Sequence, residues 1–279
     1  MSIDFKKAAV IGFPIAQSLS PFIHKHWMEA VGIDGDYTAI EVAPGEIAAF
    51  IEQAKLDGLS GFNVTVPHKT DIVPLLDKVA PLARQMGAVN TVKINEDSTL
   101  TGFNTDGLGL VAHLKNTVSD YPVDKPVLIL GAGGAARAAA LGLLTENIPM
   151  VMISNRTRAK AEVIANDIGR GRMTVVDWDN RADAVSASGL IINTTVLGMD
   201  GQARLELDLS AAAKDTVVYD IVYKPLETEL LAKAKAQGLR TVDGLGMLVH
   251  QGAAAFKLWF GYDVGFDTVL RAKLEAKLS

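Results

Sequence analysis

The chain has 279 residues, 49% of them apolar and 21% charged, with a net charge of −5. That balance excludes a predominantly disordered chain and argues against a general nucleic-acid or anionic-membrane binder. There is no cysteine, which excludes disulfides, thiolate nucleophiles, zinc–thiolate sites and iron–sulfur clusters and fits a reducing compartment.

At this length a single core stops growing, so two domains, or one large α/β unit, are expected. The apolar run after the first residues is short and ends at Pro14, unlike a signal peptide. Ala8–Phe13 reads as a buried strand and Pro21–Val31 as a helix with proline in its first turn. Tyr37–Val42 and Phe62–Val66 read as strands, with a helix from about Gly45 to Lys55 between them. Ala88–Ile94 and Leu100–Phe103 read as a strand pair joined by the Asn95–Ser98 turn.

A helix near Asp106–Asn116 opens the second part, and a polar link at Ser119–Pro126 follows. Strands are then expected at Val127–Leu130, Val151–Ser154, Thr174–Val176, Leu190–Asn193 and Val217–Ile221. Helices are expected at Gly133–Glu146, Ala159–Ile168, Thr228–Gln237, Met247–Phe260 and about Asp267–Leu278. Strands alternating with helices imply an α/β fold with parallel sheets covered on both faces. Val127–Leu144 is apolar apart from Arg137, but its clustered Gly131, Gly133 and Gly134 fit strand, turn and helix better than a membrane span.

Gly131-x-Gly133-x-x-Ala136 follows a buried strand and opens an alanine-rich helix. Glycine permits the tight turn and close backbone approach to a pyrophosphate, and the helix N-terminus offers free N–H groups. The next strand ends at Ser154-Asn155-Arg156-Thr157-Arg158-Ala159-Lys160, with three cations and no carboxylate. An NAD site usually places an acidic group there to hold the ribose 2′-hydroxyl; cations suit a 2′-phosphate. NADP is therefore favoured over NAD.

Before residue 107, polar groups gather at predicted strand ends. They are Ser18 and Ser20, Asn63 and Thr65 with Lys69 beyond, Asn90 with Thr91, and Asn104-Thr105-Asp106. Each is compatible with ordinary cap or turn chemistry. Together they describe a pocket for a small polyhydroxylated acid. Oxidising an alcohol needs a group that takes the hydroxyl proton, and Lys69 and Asp106 are the candidates. A lysine and a carboxylate side by side titrate as a unit, so either member is open as the one that moves the proton. The five histidines carry no metal-site spacing, and no metal is expected. Trp27, Trp178 and Trp259 read as packing residues.

The motifs, taken in order, resemble the shikimate dehydrogenase family over essentially the whole chain. They are Gly12-Phe-Pro14 with Ser18-x-Ser20-Pro21, Asn63-Val-Thr65-x-Pro67-x-Lys69, Gly87-Ala-x-Asn90-Thr91 and Asn104-Thr105-Asp106-Gly107. They continue with Gly131-Ala-Gly-Gly134, Asn155-Arg156-Thr157, Asn193-x-Thr195-x-x-Gly198-Met199 and Asp220-x-x-Tyr223-x-Pro225-x-x-Thr228. Asp243-Gly244-x-x-Met247-Leu248-Val249-x-Gln251-Gly252-Ala253 completes the set.

The resemblance implies reduction of 3-dehydroshikimate to shikimate with NADPH, a step of aromatic amino-acid biosynthesis. It implies a substrate domain over residues 1–106 and a Rossmann-type NADP domain over 107–242, with a cleft between. Helices from 243 to 279 would return to the substrate domain. Lys69 and Asp106 match the family's catalytic pair, and Ser18 and Ser20 the serines that hold the substrate carboxylate. Asn63, Thr65, Asn90 and Gln251 match hydroxyl contacts, and Tyr223 lies at the same pocket. Gly131, Ala132, Gly133, Gly134, Ala135, Asn155, Arg156, Thr157, Lys160 and Thr195 match NADP-binding positions, with Gly244 and Met247 near the nicotinamide. Lys160 stands where arginine is common, keeping charge but losing the bidentate fork; Lys25 stands where asparagine is common. The resemblance implies a cytoplasmic enzyme, monomeric or homodimeric, with no nucleic-acid or membrane partner.

Two other readings compete. A quinate/shikimate dehydrogenase using NAD tends to be acidic at the Arg156 site and often has Thr for the second serine. A non-catalytic ligand sensor tends to lose the Lys/Asp pair, which is present here. Folate and amino-acid-like dehydrogenases of the same two-domain plan lack the Ser-x-Ser motif.

Overall fold

The computed structural model describes residues 5–278. The chain divides into two compact units, one comprising residues up to 105 with 251–275, the other 106–250 with the segment from 276 onward.

The first unit contains β1 (Lys6–Gly12), α1 (Ser20–Val31), β2 (Gly35–Glu41), α2 (Ile47–Leu56), β3 (Gly61–Val64), β4 (Lys78–Val79), α3 (Pro81–Met86), β5 (Thr91–Ile94) and β6 (Leu100–Phe103). Its sheet runs β2-β1-β3-β5-β6-β4. β1 lies between β2 and β3, and its Ala8–Ile11 stretch is buried on both faces, which is why that stretch is an apolar run. Ala9 and Ile11 pack with Phe62, Val64 and Ile51 on one face; Ala8 and Val10 pack with Tyr37, Ala255 and Trp259 on the other.

This sheet is mixed, which corrects the expectation of parallel sheets. β5 lies antiparallel to both β3 and β6. The Asn95 N–H bonds to Thr99 O at 2.9 Å, and a connection this short joins only antiparallel neighbours. β3 ends at Val64 rather than Val66, and β5 begins at Thr91 rather than Ala88. β4 and α3 were not anticipated, nor was the last strand of the second sheet. Elements of two, six and three residues are too short for periodicity to register.

The second unit contains α4 (Asp106–Thr117), β7 (Val127–Leu130), α5 (Gly134–Thr145), β8 (Val151–Ser154), α6 (Arg158–Ile168), β9 (Met173–Val176), β10 (Leu190–Asn193), β11 (Val217–Asp220), α7 (Glu229–Ala236) and β12 (Arg240–Val242). Its six strands are all parallel in the order β12-β11-β10-β7-β8-β9. This is a doubly wound sheet whose strand order reverses between β7 and β10, the point where such sheets bind ligands. α4 and α5 touch through glycines: a Cβ on Gly107 would lie 2.5 Å from Ala138 O, and one on Gly142 2.8 Å from Gly107 O. The approach holds the head of α4, Asp106, in a fixed relation to the helix that follows the glycine loop.

α8 (Leu245–Phe260) and α9 (Thr268–Leu278) complete the chain. The boundary between units falls inside α8, at residue 251, and not at 243. The reason is local packing: a Cβ on Gly246 would overlap the His113 ring, 2.1 Å from Nδ1. His113 Nε2 also lies 3.1 Å from Asp243 O, tying the start of α8 to α4. Among the described residues no helix is long and apolar enough to cross a membrane.

His24 on α1 is 1% exposed, and both ring nitrogens lack a hydrogen-bond partner. Its ring stacks on Tyr37 at 4.0 Å and 5°, with Trp27, Phe256 and Trp259 around it. Burial lowers its pKa to about 3. The unfolded chain therefore takes up a proton below about pH 6.5 that the folded chain refuses, and stability falls with pH through that window. Relative to its value above pH 7, His24 should remove about 2 kcal/mol of unfolding free energy by pH 5. Urea unfolding of His24→Phe, compared with the parent between pH 7.5 and 5, should lack this part of the slope.

Candidate functional site

Polar side chains gather at the carboxyl ends of β1 and β3 and the turns beside them. Ser18 and Ser20 form the start of α1, where the Ser20 N–H donates to Ser18 Oγ at 3.3 Å. The helix start carries no acidic residue in its first turn, so its free N–H groups and hydroxyls suit an anion.

Asn63 is the third residue of β3 and is buried. Its Nδ2 donates to Asn90 O at 3.1 Å and to Thr91 Oγ1 at 3.0 Å. Its Oδ1 accepts from the Tyr37 hydroxyl at 2.7 Å. Burial pushes the Tyr37 phenol well above its ordinary range, and a hydrogen bond with the Ser20 side chain opposes that shift.

Asn90 is the junction of the cluster. Its Oδ1 accepts from Thr105 N at 2.9 Å and from Thr91 Oγ1 at 3.0 Å. Its Nδ2 donates to Thr105 Oγ1 at 3.0 Å and to Gln251 Oε1 at 3.4 Å. Asn104 Nδ2 donates to Ala88 O at 3.1 Å. These bonds fix the chain where it leaves β6, immediately before Asp106.

Thr65 lies just beyond β3, where its N–H donates to Ile11 O at 2.9 Å. Its methyl fills the space beside Gly12, where a Cβ would come within 2.5 Å. Half-buried Lys69 follows on a pinned loop: the Val89 N–H donates to its carbonyl at 2.8 Å. The preceding His68 is fully buried, with Nε2 2.6 Å from Val42 O, so that nitrogen carries the proton.

In the second unit the glycine loop leaves β7 at Gly131, whose φ is 113°. A side chain there would be strained and would meet Thr194 Oγ1 at 2.7 Å, across the switch point from β10. Ala132 and Ala135 are half-buried. At Gly133 and Gly134 a Cβ would meet no protein atom within 4 Å. Packing therefore does not explain the small residues, and the exposed start of α5 has no side-chain cap. Open space over free N–H groups fits a phosphate.

β8 ends at the expected cationic segment. Asn155 Nδ2 donates to Thr157 O at 2.9 Å and shapes the turn. Thr157 is the N-cap of α6, yet its hydroxyl makes no capping bond. Arg158 is paired with Glu162 at 2.8 Å and Asp177 at 2.5 Å. Arg156 and Lys160 are exposed and pair with no carboxylate among the described residues. Two unpaired cations beside an uncapped helix start fit a ribose 2′-phosphate.

Thr195 is occupied within the protein: its hydroxyl donates to Asn193 Oδ1 at 2.7 Å and accepts from Leu197 N at 3.0 Å. Asn193 Nδ2 in turn donates to Asp220 Oδ1 at 2.9 Å, and the Thr228 hydroxyl donates to Asp220 Oδ2 at 2.7 Å. Burial raises the Asp220 carboxyl, and the Val222 N–H also donates to it at 3.0 Å. The carboxylate thus joins the loop after β10 to the loop that carries Tyr223, whose hydroxyl burial also pushes up. A Cβ on Gly244 would lie 2.1 Å from Ile221 O, which brings the start of α8, with half-buried Met247, against that loop.

Tyr37 and the His68 pin are the residues that sequence reasoning missed. Tyr37 is the one buried residue of β2, and its one legible signal is that a buried tyrosine hydroxyl requires a partner.

Family models match most of the chain. Residues 10–92 match "Shikimate dehydrogenase substrate binding domain", 114–221 match "Shikimate / quinate 5-dehydrogenase", and 244–272 match "Shikimate 5'-dehydrogenase C-terminal domain". Shikimate dehydrogenase (NADP(+)) of Paramagnetospirillum magneticum is 45% identical over 98% of this chain and 99% of its own. The Thermus thermophilus shikimate 5-dehydrogenase solved with NADP(H) and shikimate has a TM-score of 0.86 at 33% identity, covering 99% of this chain and 100% of its own. Quinate dehydrogenase of Corynebacterium glutamicum, solved with NAD, has a TM-score of 0.89 at 31% identity, covering 98% of this chain and 99% of its own.

Proposed function

The chain belongs to the shikimate dehydrogenase family, and we propose on that premise that it catalyses the reversible, NADPH-dependent reduction of 3-dehydroshikimate to shikimate in aromatic amino-acid biosynthesis. The observation that carries the reading is the hydrogen-bonded cluster of buried Asn63 and Asn90 with half-buried Gln251, together with buried Ser20 at the start of α1. It offers hydroxyls and amides to a polyhydroxylated acid.

Ser18 and Ser20 hold the substrate carboxylate at the start of α1. Asn63, Thr65, Asn90 and Gln251 receive its ring hydroxyls, and Tyr223 belongs to the same substrate-binding set. Gly131, Ala132, Gly133, Gly134 and Ala135 cradle the cofactor pyrophosphate. Arg156, Thr157 and Lys160 take the 2′-phosphate, on a turn shaped by Asn155. Thr195 lends its loop, and Gly244 and Met247 flank the nicotinamide.

Bound NADPH supplies a hydride to the carbonyl carbon. The carbonyl oxygen then needs one proton to become the alcohol, and the Lys69–Asp106 pair delivers it. In the reverse direction the same pair takes that proton back. The first unit, residues up to 105 with 251–275, is the substrate domain; the doubly wound unit is the NADP domain. The enzyme works in the cytoplasm as a monomer or homodimer, without nucleic acid or membrane.

A steady-state assay crossing shikimate or quinate with NADP or NAD tests the assignment. Turnover should be greatest with shikimate and NADP; greater turnover with quinate and NAD would move the chain to the broader branch of the family, and none at all would leave a sensor. Lys69→Ala should lower kcat by about 100-fold or more while NADP still binds by calorimetry; unchanged turnover would remove Lys69 from the proton transfer. Arg156→Asp should move the ratio of kcat/KM values from NADP toward NAD by about tenfold or more, as expected for losing a charge-assisted contact.

A further inference from the structure

The face of the first sheet that packs on Trp259 carries a row of charge that the proposed reaction does not use. β5, β6 and β4 lie side by side, with Lys93 opposite Thr101 and Thr101 opposite Lys78. Opposed residues share a face, so the three side chains stand in line across two strand spacings, about 10 Å. Lys93 also lies opposite Gly61 on β3, where a Cβ would run into the Trp259 indole. The row therefore belongs to the Trp259 side of the sheet. Val92 and Leu100, the neighbours of Lys93 and Thr101 along their strands, enter the core on the other face.

A cavity of about 870 Å³ opens along this row, and Lys6 at the start of β1 and Lys55 near the end of α2 line it with Lys78 and Lys93. Two carboxylates of the β5–β6 turn, Glu96 and Asp97, oppose these four ammonium groups. Asp97 is engaged by Thr99, accepting from its N–H at 3.0 Å and its hydroxyl at 2.6 Å. Lys55 pairs with Glu52 at 3.2 Å. Asp97 lies near enough to Lys78 for the two charges to act on each other, but among the described residues no carboxylate forms an ion pair with Lys78 or Lys93. Between those two lysines, Thr101 Oγ1 accepts from Asn95 Nδ2 at 3.0 Å, so its own hydrogen is still to be given. A hydroxyl donor flanked by two ammonium groups offers hydrogens only, and the acceptor that suits it best is an anion. In a chain of net charge −5, such a concentration of like charge opposes itself until an anion relieves it.

We propose that this groove is a second ligand site, which binds a small anion carrying two or more phosphate groups. Two joined phosphates engage Lys78, Thr101 and Lys93 together, whereas a single phosphate leaves part of the row unmet. The row is three strands wide, too short for an extended polyanion. The groove opens beside Lys6 and Ser60, at the amino ends of β1 and β3, and Ser20 and Asn63 lie toward the carboxyl ends of the same strands. It therefore stands independently of the proposed reaction.

Calorimetry with inorganic pyrophosphate at low salt tests the site, with NADP and shikimate present in excess to fill the other anion-binding places. The parent should take up one equivalent with a Kd of about 1 mM or below, and added salt should weaken it. Inorganic phosphate should bind about tenfold more weakly or less well still. Lys78→Gln/Lys93→Gln should abolish the uptake, each single lysine variant should weaken it, and Thr101→Val should weaken it by about threefold to tenfold. Lys78 is exposed, and Lys93 and Thr101 are half-buried, so all these variants should unfold at the parent's temperature; a single variant that does so keeps the test valid if the double variant does not. No saturable uptake by the parent, or uptake undiminished in the folded lysine variants, would overturn the site.

Discussion

The Asn90 side chain is the constraint on which the first half of the site depends. A buried amide must have its donors and acceptor met, and a half-satisfied one costs more than an apolar residue of the same size. Here Oδ1 takes the Thr105 N–H and the Thr91 hydroxyl, and Nδ2 reaches Thr105 and Gln251. Those partners come from β5, the end of β6 and the middle of α8. One amide therefore fixes where the chain turns from sheet into the helix headed by Asp106. The same network passes through Thr91 to Asn63 and on to the Tyr37 hydroxyl.

A buried carboxylate does the equivalent work in the second unit. Asp220 accepts from Asn193, Val222 and Thr228, and its pKa is raised by the burial that those three donors offset. The residues that present outward are of a different kind. Gly133 and Gly134 face open space, and Arg156 and Lys160 stand exposed. Groups that hold the loops are buried and paired, whereas the loop glycines and these two cations lie open. This division separates Thr195, whose hydroxyl is taken up inside its own loop, from Arg156.

Much of the fold was legible, and for identifiable reasons. Val127–Leu130, Val151–Ser154 and Leu190–Asn193 are apolar runs buried on both faces, bounded by glycine or polar residues, and they emerged with the expected bounds. The mixed first sheet was less legible. Whether β5 pairs antiparallel with β3 depends on a partner thirty residues away, and no local period encodes that choice. The boundary inside α8 was likewise hidden, because it depends on a contact between Gly246 and His113. Along the sequence α8 is one continuous helical pattern.

The sequence by itself determined the α/β alternation, the glycine loop, the cationic end of β8 and the family, since each rests on residues close together in the chain. Short-range spacing sets them: a turn needs its glycine at one position, and a helix start follows its strand within a few residues. Only the tertiary structure decided how the polar residues are spent. It assigned the Asn63 hydrogens to Asn90 and Thr91, enclosed the Thr195 hydroxyl in its loop, left Arg156 without a carboxylate among the described residues and joined the Tyr37 hydroxyl to Asn63. The reason is that a hydrogen bond is defined by distance and direction in space, and the partners concerned lie up to 161 positions apart in the chain.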